Sequence, residues 1–217
     1  MIVAILKPKG PTSFKIISQI KKITGIKKVG HAGTLDPLAE GVLIVGIGRD
    51  STRKLFAELE KEKEYQVLIE LGKTSVTDDE EGEKTVWEIG SKPELSEISG
   101  SLEQFIGEIW QVPPQYSAVK VGGKEAYKSA RKGRLVNLGK RQVLIKEIEV
   151  LSYEWPLLRL RVLTGPGVYI RSLARELGDA LKVGGYVKEL VRTRVGEYRI
   201  EDCKSPDDLP GFLLSQE

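Results

Sequence analysis

A carboxylate in a glycine-rich segment is the first feature of the sequence with the means to perform chemistry. Asp36 lies within residues 30–41, which contain three glycines and the dipeptide Asp36-Pro37. Glycine lets a backbone reach positive φ and approach a ligand, and proline restrains the preceding residue to extended or turn geometry. This pattern predicts a carboxylate on a rigid loop, able to act as a nucleophile or a base. The alternative is an Asp-Pro turn in which Asp36 bonds only its own backbone.

The composition restricts what other chemistry the chain can use. Its 217 residues include one histidine, His31, and one cysteine, Cys203. An internal disulfide framework, a multi-cysteine zinc site and a histidine-rich metal site are therefore excluded, and we expect no metal. No apolar run approaches ~18 residues, so no membrane helix is expected. Without a signal peptide or disulfides, the expected location is the cytoplasm.

Basic and acidic residues lie in separate blocks, although the net charge is only +3. Residues 1–35 hold seven lysines and no acid, and residues 116–147 hold nine basic residues against two acids. Residues 78–103, in contrast, hold nine acids and two lysines. Blocks of this kind predict a basic face that attracts phosphates through counterion release. Ordinary solvated faces are the alternative interpretation.

Hydrophobic periodicity and the positions of Gly and Pro predict the elements that must position these groups. Strands are predicted at 2–6, 42–48, 65–71 and twice within 142–164, and helices at 14–23, 52–61, 94–106, 124–133 and 169–181. Residues 24–41 are predicted to be irregular, and 72–93 to form a hairpin-like surface excursion. The elements alternate without a strict βαβ rhythm, which predicts an α+β fold with a mixed or antiparallel sheet. We expect one continuous domain over 1–205 and an acidic peripheral tail over 206–217.

Seven segments, taken in order, resemble the TruB family of pseudouridine synthases. The most specific is residues 30–41, which match the family's Gly-His-x-Gly-(Thr/Ala)-Leu-Asp-Pro-x-Ala-x-Gly loop. The others are residues 7–13, 63–65, 72–82 (with Ser75 in place of the usual threonine), 111–120, 167–174 and 190–196. The resemblance covers about residues 2–205. It implies the pseudouridine synthase fold, with a central sheet flanked by helices and loops around a catalytic cleft.

The resemblance also implies an activity and a substrate. Enzymes of this kind flip a uridine out of RNA and move its glycosidic bond from N1 to C5 without a cofactor. The implied substrate is the T arm of tRNA, with uridine 55 as the target, and we expect a monomer. Two alternatives stay open. The chain modifies a T-loop-like hairpin in another RNA, or it is a non-catalytic tRNA-binding or folding module on the same fold.

Residue roles follow from the resemblance, position by position. Asp36 is implied to be the catalytic carboxylate, attacking C6 or C1′ or acting as a base at C2′, and the sequence does not choose among these paths. Tyr65 would stack on the base and help remove the C5 proton, and Arg171 would pair with Asp36. The implied substrate-binding residues are Tyr169 and Leu190 in the base pocket, His31 at the flipped base, and Lys7 and Lys120 among the phosphate-facing lysines. Lys7 and Pro8 also match a motif that supports the floor of the site.

One departure from the family concerns the C-terminus. Typical members continue into an RNA-binding extension, often a PUA domain, whereas this sequence ends about twenty residues after Gly196. We therefore expect a catalytic domain without the usual PUA-type extension. A truncated chain is the alternative explanation.

Overall fold

The computed structural model describes residues 1–209, which form two compact units. The first unit comprises Met1–Gln66 and the chain from Leu190 onward, and the second comprises Val67–Glu189. The boundaries fall inside two strands, β4 (Lys63–Leu71) and β12 (Gly185–Val195), where hydropathy gives no break. The continuous domain expected over 1–205 is thus divided by its packing at positions that the sequence does not mark.

The remaining elements are bounded as follows. The other strands are β1 Ile2–Lys7, β2 Val29–Ala32, β3 Glu40–Ile47, β5 Lys73–Ser75, β6 Lys84–Val86, β7 Gly107–Gln111, β8 Lys120–Val121, β9 Lys124–Glu125, β10 Arg141–Glu154, β11 Leu157–Thr164 and β13 Tyr198–Arg199. The helices are α1 Ser13–Thr24, α2 Arg49–Leu59, α3 Leu95–Glu103, α4 Ala126–Ala130 and α5 Ile170–Ala180, with short 3-10 turns at Ile200–Asp202 and Pro206–Asp208.

The first unit is built around β3, an apolar strand that is buried from Gly41 to Ile47. β1 and β2 pair with β3 antiparallel, and β12 pairs with it parallel, with Arg192 opposite Gly41. The sheet is therefore mixed, and with its helices the chain has an α+β fold, as the sequence predicted. A strand covered on both faces reads as a continuous hydrophobic run, which is why β3 was visible in the sequence.

Helix α1 follows local sequence rules closely. The Thr12 hydroxyl accepts from the Lys15 N–H at 3.1 Å and caps the helix, and Gly25 ends it in the left-handed conformation. Ile16, Ile17 and Ile20 are buried, as their helical spacing predicted. The helix therefore turns its apolar stripe inward and leaves Lys15 and Lys22 exposed.

The second unit contains a long antiparallel hairpin and two helices in contact. β10 pairs with β11 on one side and with β7 on the other. α5 buries Leu173, Ala174 and Leu177 and contacts α3. β5 and β6 form a small hairpin inside 72–93, where a hairpin-like excursion was predicted.

Several predictions of local structure need correction. β2 lies inside a stretch that was expected to be irregular, and β7 and β12 were not predicted. β12 mixes charged and apolar residues, so its hydropathy lacks a clean strand period. The peripheral tail is wrong for Pro206 and Leu209, which are both buried, and residues 210–217 lie outside the described part of the chain.

Candidate active site

Asp36 lies on a loop between β2 and β3 in the first unit. Its side chain is half-buried, while its neighbours Leu35 and Leu38 are each only 3% exposed. The Ala39 N–H donates to the Asp36 carbonyl at 3.1 Å and closes a turn directly after the carboxylate. Buried leucines on both sides thus anchor the loop and leave Asp36 at its accessible part.

The N-terminal segment holds this loop on both sides of Asp36. Ser13 Oγ donates to the Leu35 carbonyl and accepts from the Leu35 N–H, each at 2.9 Å. The Lys7 ammonium donates to the carbonyls of Ala39 at 2.6 Å, Pro8 at 3.0 Å and Pro37 at 3.4 Å. Buried carbonyls need such donors, since an unpaired one costs about 1–3 kcal/mol. The loop is therefore fixed by its hydrogen bonds as well as by its buried leucines.

The phosphate-facing role expected for Lys7 is wrong. The residue is fully buried, at 0% exposure, and its ammonium points at the backbone of the Asp36 loop. An RNA phosphate has no access to a cation in that position. The contacts fit the supporting role that its motif also implied.

Arg192 of β12 reaches the same loop from the other side. Its side chain is buried, and it donates to the Gly33 carbonyl through Nη2 and to the Val42 carbonyl through Nε, each at 2.8 Å. Burial and the Arg192 charge lower the pKa of Lys63 to about 8. They also lower the pKa of His31, whose imidazole is therefore neutral at pH 7. The Asp36 loop thus lies beside a permanent, buried positive charge.

Tyr65 and Leu190 occupy strands of the first unit. Tyr65 lies on β4 and Leu190 on β12, and each is 7% exposed. His31 lies on β2 and is half-buried, and its Nδ1 has no hydrogen-bond partner within residues 1–209. The roles of these three residues toward a flipped base stay predictions.

In the second unit, Arg171 is held by two segments that the sequence had marked only as motifs, residues 72–82 and 111–120. Its guanidinium donates to the Tyr116 carbonyl at 2.9 Å and the Thr77 carbonyl at 3.1 Å, and Nη1 lies 3.4 Å from Asp79 Oδ2. Asp79 is itself fixed, because its other oxygen accepts from the Glu81 N–H at 3.0 Å. The arginine side chain is 4% exposed. Asp79 and Tyr116 are thus positioning groups that residue-by-residue reasoning missed, although both lie in matched motifs.

Tyr169 is placed by the glutamine of the Gln-x-Pro-Pro segment. The Tyr169 N–H donates to Gln111 Oε1 at 2.8 Å, and Gln111 Nε2 donates to the Tyr169 carbonyl at 3.1 Å. The half-buried Tyr169 ring packs on a small cluster of Val119, Ala126 and Leu138. Both bonds use backbone atoms of Tyr169 and therefore fix the chain direction at the start of α5. The position of the Tyr169 ring is set by its packing against the cluster.

Exposed basic residues are present on both units. Lys120 is exposed on β8, opposite Glu125 in the register. The exposed cations of the predicted basic blocks include Lys9, Lys15, Lys22, Lys27 and Lys28 in the first unit and Lys124, Lys128, Arg131, Lys132 and Arg134 in the second. These side chains are accessible to phosphates, in contrast to Lys7.

Neither a membrane-spanning helix nor a metal-binding cluster occurs within residues 1–209. No helix within residues 1–209 is long and apolar enough to cross a membrane. In the same part of the chain, no group of three or more His, Cys, Asp or Glu side chains is arranged to hold a metal ion.

The chain is similar to one protein family and to several relatives that share one name. Residues 21–170 match the model of the TruB family pseudouridylate synthase N-terminal domain. The tRNA pseudouridine synthase B of Chlamydia pneumoniae is 43% identical over 99% of this chain and 91% of its own length. That of Mycobacterium bovis is 42% identical over 99% of this chain and 74% of its own.

Solved structures show the same relationship. A Cbf5-Nop10-Gar1 complex contains a chain that is 34% identical, with a TM-score of 0.73 over 98% of this chain and 54% of that one. An H/ACA RNP bound to a substrate RNA containing 2′-deoxyuridine gives 33% identity and a TM-score of 0.71. The chain spans about half the length of these structural relatives.

The α+β fold with its mixed sheet is that of a pseudouridine synthase. Within that class, the chain belongs to the TruB family.

Proposed function

We propose that this chain converts uridine to pseudouridine in the T arm of tRNA, at uridine 55, with Asp36 as the catalytic carboxylate. The observation that carries the proposal is the loop around Asp36, whose two sides are bonded to Lys7, Ser13 and Arg192. Relatives named tRNA pseudouridine synthase B, 42–43% identical over nearly the whole chain, support tRNA as the RNA. A tRNA substrate in turn supports a cytoplasmic location.

The reaction needs no redox partner. The N1–C1′ bond breaks and a C5–C1′ bond forms, while C5 loses a proton and N1 gains one. Asp36 starts this sequence by bonding to C6 or C1′ or by removing the C2′ proton. A carboxylate already fixed in place loses little freedom on reaching the transition state, which is a general source of rate acceleration.

Tyr65 and Arg171 complete the proposed catalytic group. The phenol of Tyr65 supplies a stacking face and a weak base for the C5 proton, and its low exposure suits a site that excludes water. Arg171 is proposed to keep Asp36 ionised and oriented. Its fixed contacts with Tyr116, Thr77 and Asp79 support such a role, because they hold the guanidinium in one orientation.

The remaining residues are proposed to bind RNA. Tyr169 and Leu190 line the pocket of the flipped base, and neutral His31 contacts the RNA where the base leaves its stack. Lys120 and the exposed lysines bind phosphates, so binding should weaken with salt. We further propose that one chain suffices for the reaction, which sedimentation of the protein with and without tRNA tests.

The experiment is to incubate the protein with unmodified tRNA transcript and map pseudouridine by chemical labelling and primer extension. We expect product at uridine 55 with the natural sequence and none with Asp36→Asn, while the affinity for tRNA is kept. Glu40→Gln is the matched control, because this carboxylate is exposed, lies four residues away and also becomes an amide.

Each other outcome selects a different conclusion. Full activity of Asp36→Asn would remove Asp36 from the catalytic group. Product only in other RNAs would favour a T-loop-like hairpin as substrate. Tight tRNA binding with no product anywhere would favour a non-catalytic binding or folding module.

A further inference from the structure

Arg192 bonds to both ends of the segment that carries Asp36. Its guanidinium joins the carbonyl of Gly33, three residues before Asp36, to the carbonyl of Val42, six residues after it. The residue is 2% exposed, so water does not compete for these bonds. One side chain from β12 therefore fixes the start of the loop, at Gly33, relative to β3, the strand that follows the loop.

Arginine is suited to this task in a way that lysine is not. The planar guanidinium carries its N–H donors at fixed angles, so two acceptors bound to it are held at a fixed separation. A lysine ammonium is a point charge on a flexible stem and does not impose such a geometry. The two bonds made by Arg192, each 2.8 Å long, use donors on different nitrogens of the same rigid group.

The Arg192 guanidinium also lies in direct contact with the backbone of the Asp36 loop. Gly33 has a φ of +75°, and a Cβ there would lie 3.4 Å from Arg192 Nη1. The guanidinium thus rests directly against the Gly33 backbone. On the other side, the Arg192 backbone pairs with Gly41, so β12 fixes the base of its own side chain.

The buried charge of Arg192 also acts on neighbouring titratable groups. Burial is the larger cause of the lowered pKa values of Lys63 and His31, and the Arg192 charge lowers both further. Replacing buried charges by apolar side chains of similar volume is often neutral or stabilising. A role in the reaction accounts for a guanidinium at this position.

We propose that Arg192 is a positioning residue, which holds the Asp36 loop at the geometry required for the chemical step. This inference rests on the proposed function of Asp36. Arg192 acts through the loop and not on the RNA, so its loss should lower the rate of chemistry and leave tRNA affinity unchanged.

The test compares Arg192→Lys with Arg194→Lys in single-turnover reactions at saturating tRNA. Arg194 lies on the same strand, is half-buried and donates to the Gly196 carbonyl at 2.9 Å, away from the Asp36 loop. We expect the rate constant of Arg192→Lys to fall about 10- to 100-fold, the effect typical of small misplacements in an active site. The Kd for tRNA and the folded fraction, followed by circular dichroism, should match those of Arg194→Lys.

A second pair of variants perturbs the contact from the loop side. Gly33→Ala and Gly25→Ala place a side chain at similar positive φ values, +75° and +70°. A methyl group at position 33 would lie in van der Waals contact with Arg192 Nη1, at 3.4 Å, and Lys63 Cε, at 3.7 Å, whereas a Cβ at Gly25 has nothing within 4 Å. We expect a lower rate constant for Gly33→Ala alone. This pair decides the question if Arg192→Lys does not fold.

The proposal is overturned if Arg192→Lys reacts as fast as the natural protein, or if its defect lies only in Kd. Equal rates for Gly33→Ala and Gly25→Ala would overturn it as well. Failure of the proposed function is recognised separately, because the natural protein would then form no product or Asp36→Asn would stay active.

Discussion

Replacing Gly41 with alanine should destabilise the first unit more than a comparable substitution elsewhere. Gly41 has a φ of +111°, and an added Cβ would lie 2.2 Å from the Arg192 carbonyl oxygen. That oxygen belongs to β12, which pairs with β3 at this point. Relief of the overlap would require the two strands to separate, because a main-chain atom has no rotamer to change.

Gly10 is the matched control for the cost of placing an L residue at positive φ. Its φ is +109°, nearly the same, but nothing lies within 4 Å of its Cβ position. The left-handed backbone costs an L residue about 1–2 kcal/mol at either site. Overpacking adds about 1–3 kcal/mol at Gly41 alone. Gly41→Ala should therefore lose about 1–3 kcal/mol more unfolding free energy than Gly10→Ala.

Urea denaturation followed by circular dichroism measures this difference, and thermal scans provide a second measurement. For a chain of this size, each kcal/mol corresponds to about 2–4 °C in Tm, so the two variants should differ by about 2–12 °C. Equal losses of stability would show that the close approach of β3 and β12 does not resist a side chain. This result would refute the predicted overlap between an alanine at position 41 and the Arg192 carbonyl oxygen. The cost of placing an L residue at positive φ would still be supported.

Three further outcomes follow from individual contacts. Burial raises the pKa of Glu70, but hydrogen bonds from Lys188, Lys73 and Tyr186 outweigh it and lower the pKa to about 2. The stability that Glu70 contributes is therefore present above pH ~4.5 and is lost as pH falls toward 2. Glu70→Gln should therefore lower the unfolding free energy at pH 7 by at most about 3 kcal/mol, less solvent screening of the partly exposed lysines, and urea titrations should show the gap closing near pH 2. Thr12→Ala removes the cap of α1 and should cost about 1 kcal/mol in the same assay, with Thr12→Ser close to the natural protein. Lys22→Gln, on the exposed side of α1, should reduce the slope of log K for tRNA against log salt by about one, and an unchanged slope would remove this lysine from the phosphate-binding set.

The sequence predicted the elements in which local rules and burial agree. The apolar run of β3 and the capped, amphipathic α1 appear where the pattern places them. The glycine-rich segment with Asp36 was likewise visible, because Asp-Pro and closely spaced glycines are local signals. The family was identified for the same reason, since its motifs are short and continuous in the chain.

Only the tertiary structure decided what the cations do. Lys7 was expected at the surface with the other lysines, yet it is fully buried on backbone carbonyls. Arg192 was a motif position without a role, and the fold places it against Gly33 and Val42. Residue type predicts exposure for both, because burying a charge is costly unless donors and acceptors are matched.

That matching depends on groups far apart in the chain. The acceptors of Arg192 lie about 150 residues before it, and no local pattern encodes such a separation. Asp79 and Tyr116 likewise meet Arg171 only after the chain has folded. The sequence by itself thus determined which residue types are available for the chemistry. Long-range hydrogen bonds decided which of them hold the loop of Asp36, because backbone carbonyls have no signature in the sequence.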